Sequence, residues 1–338
     1  MILALYRHRI LRRTPQLMKS KETGKRGERN MQLELLTHPV ISGLIVMAFI
    51  GWLTYRLHFV DVSGLISAFV VGFTVWYTGG IAAFTILLFF FVASGAATKY
   101  KYKAKGKMNL AQEGKGKRSW RNVFGSGIIP MLFSIGIFAA KVLSPDPFYA
   151  FAMFGGFIGA VATTTADTLA SEIGVFSKSK PRLITNLRRK VPRGTIGAVS
   201  LLGQGVAVFA GVVIGVISIL FALLAPALIP VNPLVPEQIL MIFPLAVLTA
   251  FMGCNIDSVL GAVAQNRFVC EICGAVTDKE FHCEYETKYV GGFRQFTNAH
   301  VNLGSSGMGA TLGIILGAGL LVWILGGLFF WILVSSSN

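Results

Sequence analysis

Three acids fall where acids are least expected. Asp167, Glu172 and Asp257 each lie near the end of an apolar stretch long enough to cross a bilayer. A carboxylate inside or beside a membrane span is costly to keep there, so by default it marks function. Such hard oxygen donors suit Mg²⁺ shared with a phosphate, and all three are candidates for metal binding and catalysis. Asp167 and Glu172 are five positions apart, about 140° around a regular helix. Both could reach one ion only if the helix broke after Asp167 or if ligands approached from two directions. The competing explanation is that each acid caps a helix or pairs with a loop arginine.

Cations and small polar residues follow the acids. The segment from Pro181 to Thr195 carries Arg182, Arg188, Arg189, Lys190 and Arg193 and no acid. Arginine forks bind phosphate oxygens in pairs. Gly194 and Thr195 precede the next apolar stretch, where backbone N–H groups can approach an anion. Arg118 and Asn122 open another span in the same manner. These residues are candidate phosphate ligands, although positive-inside charge and lipid headgroups account for many loop bases. The lysines from Lys99 to Lys107 are expected to be membrane-surface charge. Asn298, Asn302, Ser305 and Ser306 bring amides and hydroxyls to the start of the last span, where they could bind a nucleotide or cap the helix.

The remaining chemistry is sulfur. Cys270-x-x-Cys273, followed by His282 and Cys283, has the donors for a small zinc knuckle, although the adjacency of His282 and Cys283 makes tetrahedral closure awkward. A redox or structural role is the alternative.

These residues must be positioned by a membrane bundle. Hydrophobic residues make up 54% of the 338 positions and charged residues only 14%, yet 31 Lys and Arg against 15 Asp and Glu leave a net charge of +16. Soluble domains carry about 25% charge. A disordered basic chain would lack the 26 Phe. Low charge with a cationic surplus indicates a multi-pass protein with basic loops on one side. The partners expected are membrane lipids rather than nucleic acid. Seven or eight spans are predicted, near 38–56, 62–78, 80–97, 123–142, 147–167, 199–229, 238–262 and 307–334, giving an all-α transmembrane helix bundle. The second and third, separated by Tyr77-Thr-Gly-Gly80, form either a tight hairpin or a re-entrant pair. The sixth is too long for one straight span.

Basic residues place the loops 98–122, 177–195 and 266–306 in the cytoplasm. That membrane is the plasma membrane of a prokaryote or an organelle membrane of a eukaryote. The N-terminus disagrees: nine bases lie between Arg7 and Arg29, three spans away from 98–122. Either the working chain starts at Met31, leaving 1–37 as a basic tail outside a single integral-membrane domain at 38–335, or spans two and three are re-entrant.

Two spans end alike, one in Gly159…Asp167-Thr and the other in Gly253-Cys-Asn-Ile-Asp257-Ser, and each is followed by a loop and a Gly/Ser-rich entry into the next span. Two hairpins of one orientation, each with one Asp, read as a parallel duplication of spans five–six and seven–eight around a shared site. Gly309, Gly313 and Gly317, like Gly211 and Gly215, are spaced for close helix packing.

The run ATTTADTLASEIGVFSKSKPRLITNLRRKVPRGTIGAVSLLGQ, then GCNIDSVLGAVAQNRFVCEICG and NAHVNLGSSGMGA, resembles one integral-membrane family over roughly residues 40–335. That family includes the plant phytyl-phosphate kinase and animal transmembrane protein 19, with archaeal and cyanobacterial members. In the stretch KRSWRNVFGSG, Arg118 and Asn122 match a family block, whereas Ser126 stands where the family has Asn. The Cys pair and the later His-Cys also fit the family pattern. The resemblance implies transfer of a nucleotide γ-phosphoryl group to an isoprenyl monophosphate, giving the diphosphate. Related phytol and dolichol kinases imply CTP as the nucleotide. Asp167 and Asp257 would then hold the Mg²⁺–nucleotide with Glu172 assisting, and Arg182 and Arg193 would bind the phosphates. An apolar groove beside the Gly-rich faces of spans five and six would hold the prenyl chain. A transporter or flippase of an anionic lipid or metabolite, or another lipid-phosphate enzyme such as a cytidylyltransferase, would meet the same composition.

Overall fold

The computed structural model describes residues 38–108, 110–111, 116–231, 234–272, 274, 276–277 and 280–319. The basic tail 1–37, Cys273 and most of the eighth expected span lie outside these residues. By its internal contacts the chain divides between Phe49 and Ile50 into two units. The described part of the first unit is the opening of helix α1 (Pro39–Arg56); the remaining elements belong to the second.

Helix α2 (Val62–Lys99) is 38 residues long and breaks at Gly80, whose φ of 73° and ψ of −172° are non-helical. A side chain would resist that φ, and glycine accepts it. The break reverses the chain. Gly95 lies against the Phe59 ring, and Lys99 Nζ, over the same ring, donates to the Leu57 carbonyl. The two ends of α2 therefore meet, while Gly80 lies near Leu228. Each arm is about 27 Å long at 1.5 Å per residue, close to the roughly 30 Å of hydrocarbon. The chain reversal at Gly80 is common to both sequence alternatives, a tight hairpin and a re-entrant pair.

Short helix α3 (Tyr102–Lys107) follows, then α4 (Trp120–Leu143), α5 (Pro147–Gly174), α6 (Leu201–Leu224), α7 (Pro236–Val263) and α8 (Asn298–Gly317). Among the described residues, α1, α2, α4, α5, α6 and α7 are long and apolar enough to cross a membrane. The protein is a multi-pass helical bundle. The overlong sixth stretch resolves into a strand, the 24-residue α6 and a 3₁₀ turn at Pro226–Leu228.

Helices α5 and α7 form the centre. They pack on each other, and α6 and α8 each pack on both. The α2 hairpin and α4 wrap the outside of α5. Helix approach is set by small residues: a Cβ on Gly159 of α5 would fall 2.3 Å from the Gly309 carbonyl oxygen of α8, and one on Gly155 2.5 Å from that of Gly313. Gly211 and Gly215 of α6 likewise meet Ala250 and Phe243 of α7. The expected glycine seams are thus packing surfaces.

The α5–α6 and α7–α8 connections hold strands too short to show a periodicity in sequence. The first connection contains β1 (Arg182–Leu183), β2 (Asn186–Lys190) and β3 (Ala198–Val199), ordered β2-β1-β3. The second contains β4 (Arg267–Val269), β5 (Val276–Thr277), a hairpin of β6 (Phe281–His282) and β7 (Tyr285–Glu286), and β8 (Lys288–Gly291). Its sheet is ordered β5-β4-β8. All these pairings are antiparallel. In both sheets the strand that leaves the first helix lies in the middle, between the next strand and the last. The helix packing and the strand order repeat together, as expected of a duplication, and β6–β7 is an addition to the second copy.

Candidate functional site

Asp167 is the twenty-first residue of α5 and Asp257 the twenty-second of α7. At 1.5 Å per residue both lie roughly 30 Å along their helices, a length comparable to the hydrocarbon thickness of a bilayer. The two carboxyls lie close enough to interact, and both line one cavity. Facing carboxylates must share a proton or a cation to remain together.

Several contacts hold the pair in place. Thr163, one turn before Asp167, donates from Oγ1 to the Thr249 carbonyl of α7 at 2.9 Å. It fits there because Gly253 and Gly309 leave no Cβ in its way; either would come within about 2 Å of its hydroxyl. Ser305 of α8 donates to Asp257 Oδ2 at 2.7 Å. Gln204 of α6 and Asn255 of α7 exchange two amide hydrogen bonds of 3.0 Å.

The two aspartates border a cavity of about 300 Å³. The 193–200 segment also lines it, with Arg193, Gly194 and Thr195 beside Gly197. Gly194 and Gly197 have φ of 82° and 72°, respectively, which turns the chain sharply ahead of α6. Ser171, Gln204, Ser258, Gln265 and Asn298 add hydroxyls and amides, and Cys254 also lines the cavity, near both acids. The Arg193 guanidinium is anchored by a 2.7 Å bond from Nη2 to the Ser177 carbonyl.

Of the residues singled out in the sequence, Asp167, Asp257, Arg193, Gly194, Thr195 and Asn298 line this cavity. Ser305 lies behind Asp257, and Asn302, half-buried, accepts from Asn298 Nδ2 at 3.5 Å. Ser306 Oγ is buried without a hydrogen-bond partner among the described residues.

Glu172, Arg118, Asn122 and Arg182 do not line the cavity. Helix α5 runs unbroken to Gly174, so the five-residue spacing sends Glu172 around the helix, away from Asp167. There it accepts from Lys105 Nζ at 2.5 Å and from Thr98 Oγ1 at 2.9 Å. Arg118 is buried near Glu172, its guanidinium 5.8 Å from the Phe90 ring centre. Burial pulls its pKa down to about 10, with Glu172 opposing, which still leaves it charged at neutral pH. Asn122 is exposed and accepts from the Ser119 hydroxyl. Arg182 is exposed and donates to the Leu187 carbonyl across the β1–β2 turn. Lys105, counted with surface charge from sequence, is 1% exposed.

Sequence inspection passed over Gln204, Ser171, Ser258 and Gln265. Gln204 had a signal: it is an amide inside an otherwise apolar run, where an unpaired amide is costly. The other three are ordinary polar residues near helix ends.

In the second loop, one donor atom from each of Cys270, His282 and Cys283 lies within 4.8 Å of the others. This cluster is built on β4 and the β6–β7 hairpin. Cys273 lies outside the described residues.

The chain is 32% identical to Protein PGR of Arabidopsis thaliana over 71% of its own length and 84% of that protein. It is 30% identical to an uncharacterized membrane protein of Synechocystis, over 60% of this chain and 70% of the relative. It is also 34% identical to the chloroplastic protein VTE6 of Arabidopsis thaliana, but over only 42% of this chain and 41% of that protein. No solved structure matches it. The model of the integral membrane protein family DUF92 matches residues 45–310, most of the bundle and both loops, and the chain belongs to that family.

Proposed function

We propose that this protein is a membrane prenyl-phosphate kinase. It would transfer the γ-phosphoryl group of CTP or another nucleoside triphosphate to an isoprenyl monophosphate, such as phytyl or geranylgeranyl phosphate. An oxygen of the acceptor phosphate attacks the γ-phosphorus, the bond to the β–γ bridging oxygen breaks, and the nucleoside diphosphate leaves with that electron pair. The observation that carries this reading is the Asp167–Asp257 pair near the ends of two long apolar helices, bordering a cavity that Arg193 and the Gly194–Gly197 backbone also line. A water-soluble nucleotide and a lipid-anchored phosphate can meet at the end of a span. The sequence resemblance to the phytyl-phosphate kinase family supports the choice of reaction.

The donor set fits Mg²⁺: two carboxylates close together, with hydroxyls of Ser171 and Ser258 on the same walls. Asp167 and Asp257 would hold the ion, which when bound neutralises charge on the phosphate oxygens. Arg193 and the backbone N–H groups of the 194–197 turn hold the phosphates in line. Ser305 holds Asp257 in orientation. No general base is needed, because a phosphate monoester is already an anion. At about 300 Å³, near the low end of ligand cavities at roughly 300–1,000 Å³, the site takes the reacting phosphates. The prenyl chain remains in the bilayer beside Leu201, which is 82% exposed and directly follows Ser200 on the cavity wall. The positive-inside bias puts this end in the cytoplasm. Glu172 has a structural part in this reading, bound to Lys105.

The test is to incubate detergent-purified protein with γ-labelled CTP or ATP, Mg²⁺ and phytyl or geranylgeranyl phosphate. Label is expected in the prenyl diphosphate and lost in Asp167→Asn. Transfer of α-label to the lipid would replace the kinase with a nucleotidyltransferase. No label from any nucleotide, with movement of prenyl phosphate across proteoliposomes, would replace it with a carrier.

A further inference from the structure

The second loop carries a cluster that the proposed reaction does not use. Cys270, 1% exposed, directly follows β4, and His282 and Cys283 stand at the tip of the β6–β7 hairpin. Their donor atoms lie within 4.8 Å of one another. We infer that Cys270, His282 and Cys283 bind a zinc ion that ties this hairpin to the end of β4.

The hairpin turn supports this. Cys283 and Glu284, its two central residues, have φ of 51° and 65°, the left-handed pair of a type I′ turn. That turn strongly favours Asn-Gly or Gly-Gly, and here both positions bear longer side chains. Strained backbone persists where other contacts over-determine it. The strained turn brings two adjacent side chains to one point: Cys283 Sγ lies 3.2 Å from His282 Nδ1. With Zn–S near 2.3 Å and Zn–N near 2.0–2.1 Å, tetrahedral zinc separates S and N ligands by about 3.6 Å. The pair is thus within a few tenths of an ångström of that spacing, which removes the objection that neighbouring residues cannot both be ligands. Thiolate and imidazole donors select zinc over Mg²⁺ or Ca²⁺.

The site would be structural. The β6–β7 hairpin is the part of the second loop without a counterpart in the first, and its strands are two residues each, too short to hold together unaided. The loop runs from Gln265 to Asn298, both on the cavity wall, so a metal clip would steady two of its polar groups.

The experiment uses the full chain, purified in detergent through a tag without histidines and dialysed against metal-free buffer, with metals counted by inductively coupled plasma mass spectrometry. About one zinc per chain is expected, and at least a tenfold lower content in Cys270→Ser/Cys283→Ser. Should that variant fail to fold, wild-type protein is stripped with a chelator and reloaded with Co²⁺. The visible absorption of tetrahedral cobalt–thiolate should appear, and zinc should protect Cys270 and Cys283 from alkylation. Folded protein without zinc, zinc retained in the double variant, a cobalt spectrum without thiolate bands, or a disulfide at these cysteines would overturn the inference.

Discussion

Lys105 Nζ lies 2.5 Å from Glu172 Oε2, joining the short helix α3 to the last turn of α5. The ammonium also donates to the Ala97 carbonyl at 2.7 Å, near the end of the α2 hairpin. One buried cation thus fastens three chain segments beside the cavity. Thr98 fills a second lone pair of the same carboxylate, and Arg118 adds positive charge nearby. The arrangement fixes the end of α5 that presents Asp167.

Lys105→Ala should therefore destabilise the fold by about 3 kcal/mol, the range for removing one partner of a buried ion pair. Pairing it with Glu172→Gln should recover part of that loss, because the orphaned charge is gone. Thermal unfolding of the variants in detergent measures both effects. Equal losses in the single and double variants would show that Lys105 acts through packing alone.

Asp167→Asn and Asp257→Asn preserve size and should leave the fold intact. Each should lower phosphoryl transfer by about a hundredfold or more, the scale for losing a group that stabilises charge in a reaction. Ser305→Ala removes a hydrogen bond to a carboxylate, worth about 1.5–3 kcal/mol, and should cost roughly ten- to a hundredfold. Ser305→Thr should restore most of that activity, since the hydroxyl returns. A Ser305→Ala enzyme with unchanged kcat and KM would remove Ser305 from the positioning role.

Much of this arrangement could be read from sequence because membrane physics is severe. Long apolar runs gave the helices, and an acid at a span end drew notice because it is costly there. Asp167 and Asp257 were both found in this way, and the similar endings of their spans anticipated the packing symmetry around them. Glu172 was misplaced for a local reason: whether α5 broke after Asp167 could not be read from its residues. Lys105 was lost in a run of lysines, since only the tertiary position of Glu172 distinguishes it from its neighbours. The loop strands, two to five residues long, carry no periodicity, and their shared order emerges only from pairing.

The contact between α5 and α8 should tolerate no side chain. A Cβ at Gly159 would overlap the Gly309 carbonyl oxygen at 2.3 Å; the oxygen is backbone and a Cβ has no rotamer by which to move aside, so the helices must separate. Gly159→Ala should cost about 1–3 kcal/mol, as overpacking does, and should also lower activity by shifting Asp167 relative to Ser305. Gly205→Ala is the matched control: nothing lies within 4 Å of its Cβ position, and it should gain about 0.5–1 kcal/mol from helix propensity. Melting temperatures moving in opposite directions would confirm the contrast, and a neutral Gly159→Ala would refute it.

Asp61 precedes α2 and accepts from Gly64 N at 2.8 Å and Ser63 Oγ at 2.7 Å. The Ser63 bond first, then the Gly64 bond, holds its pKa below the ordinary 3.8. Because the folded value is the lower one, its contribution to stability is present above 3.8 and is lost as the pH falls through the folded value. Asp61→Ala should cost about 1 kcal/mol at neutral pH, the usual loss for an N-cap. Asp61→Asn caps nearly as well but cannot titrate, so it should match the wild type at pH 7 and lose less stability in acid. Unfolding of the three proteins across the acid range would show the wild-type and Asn curves separating below the ordinary carboxylate pKa; curves that stayed parallel would mean that the cap bonds do not depend on the charge.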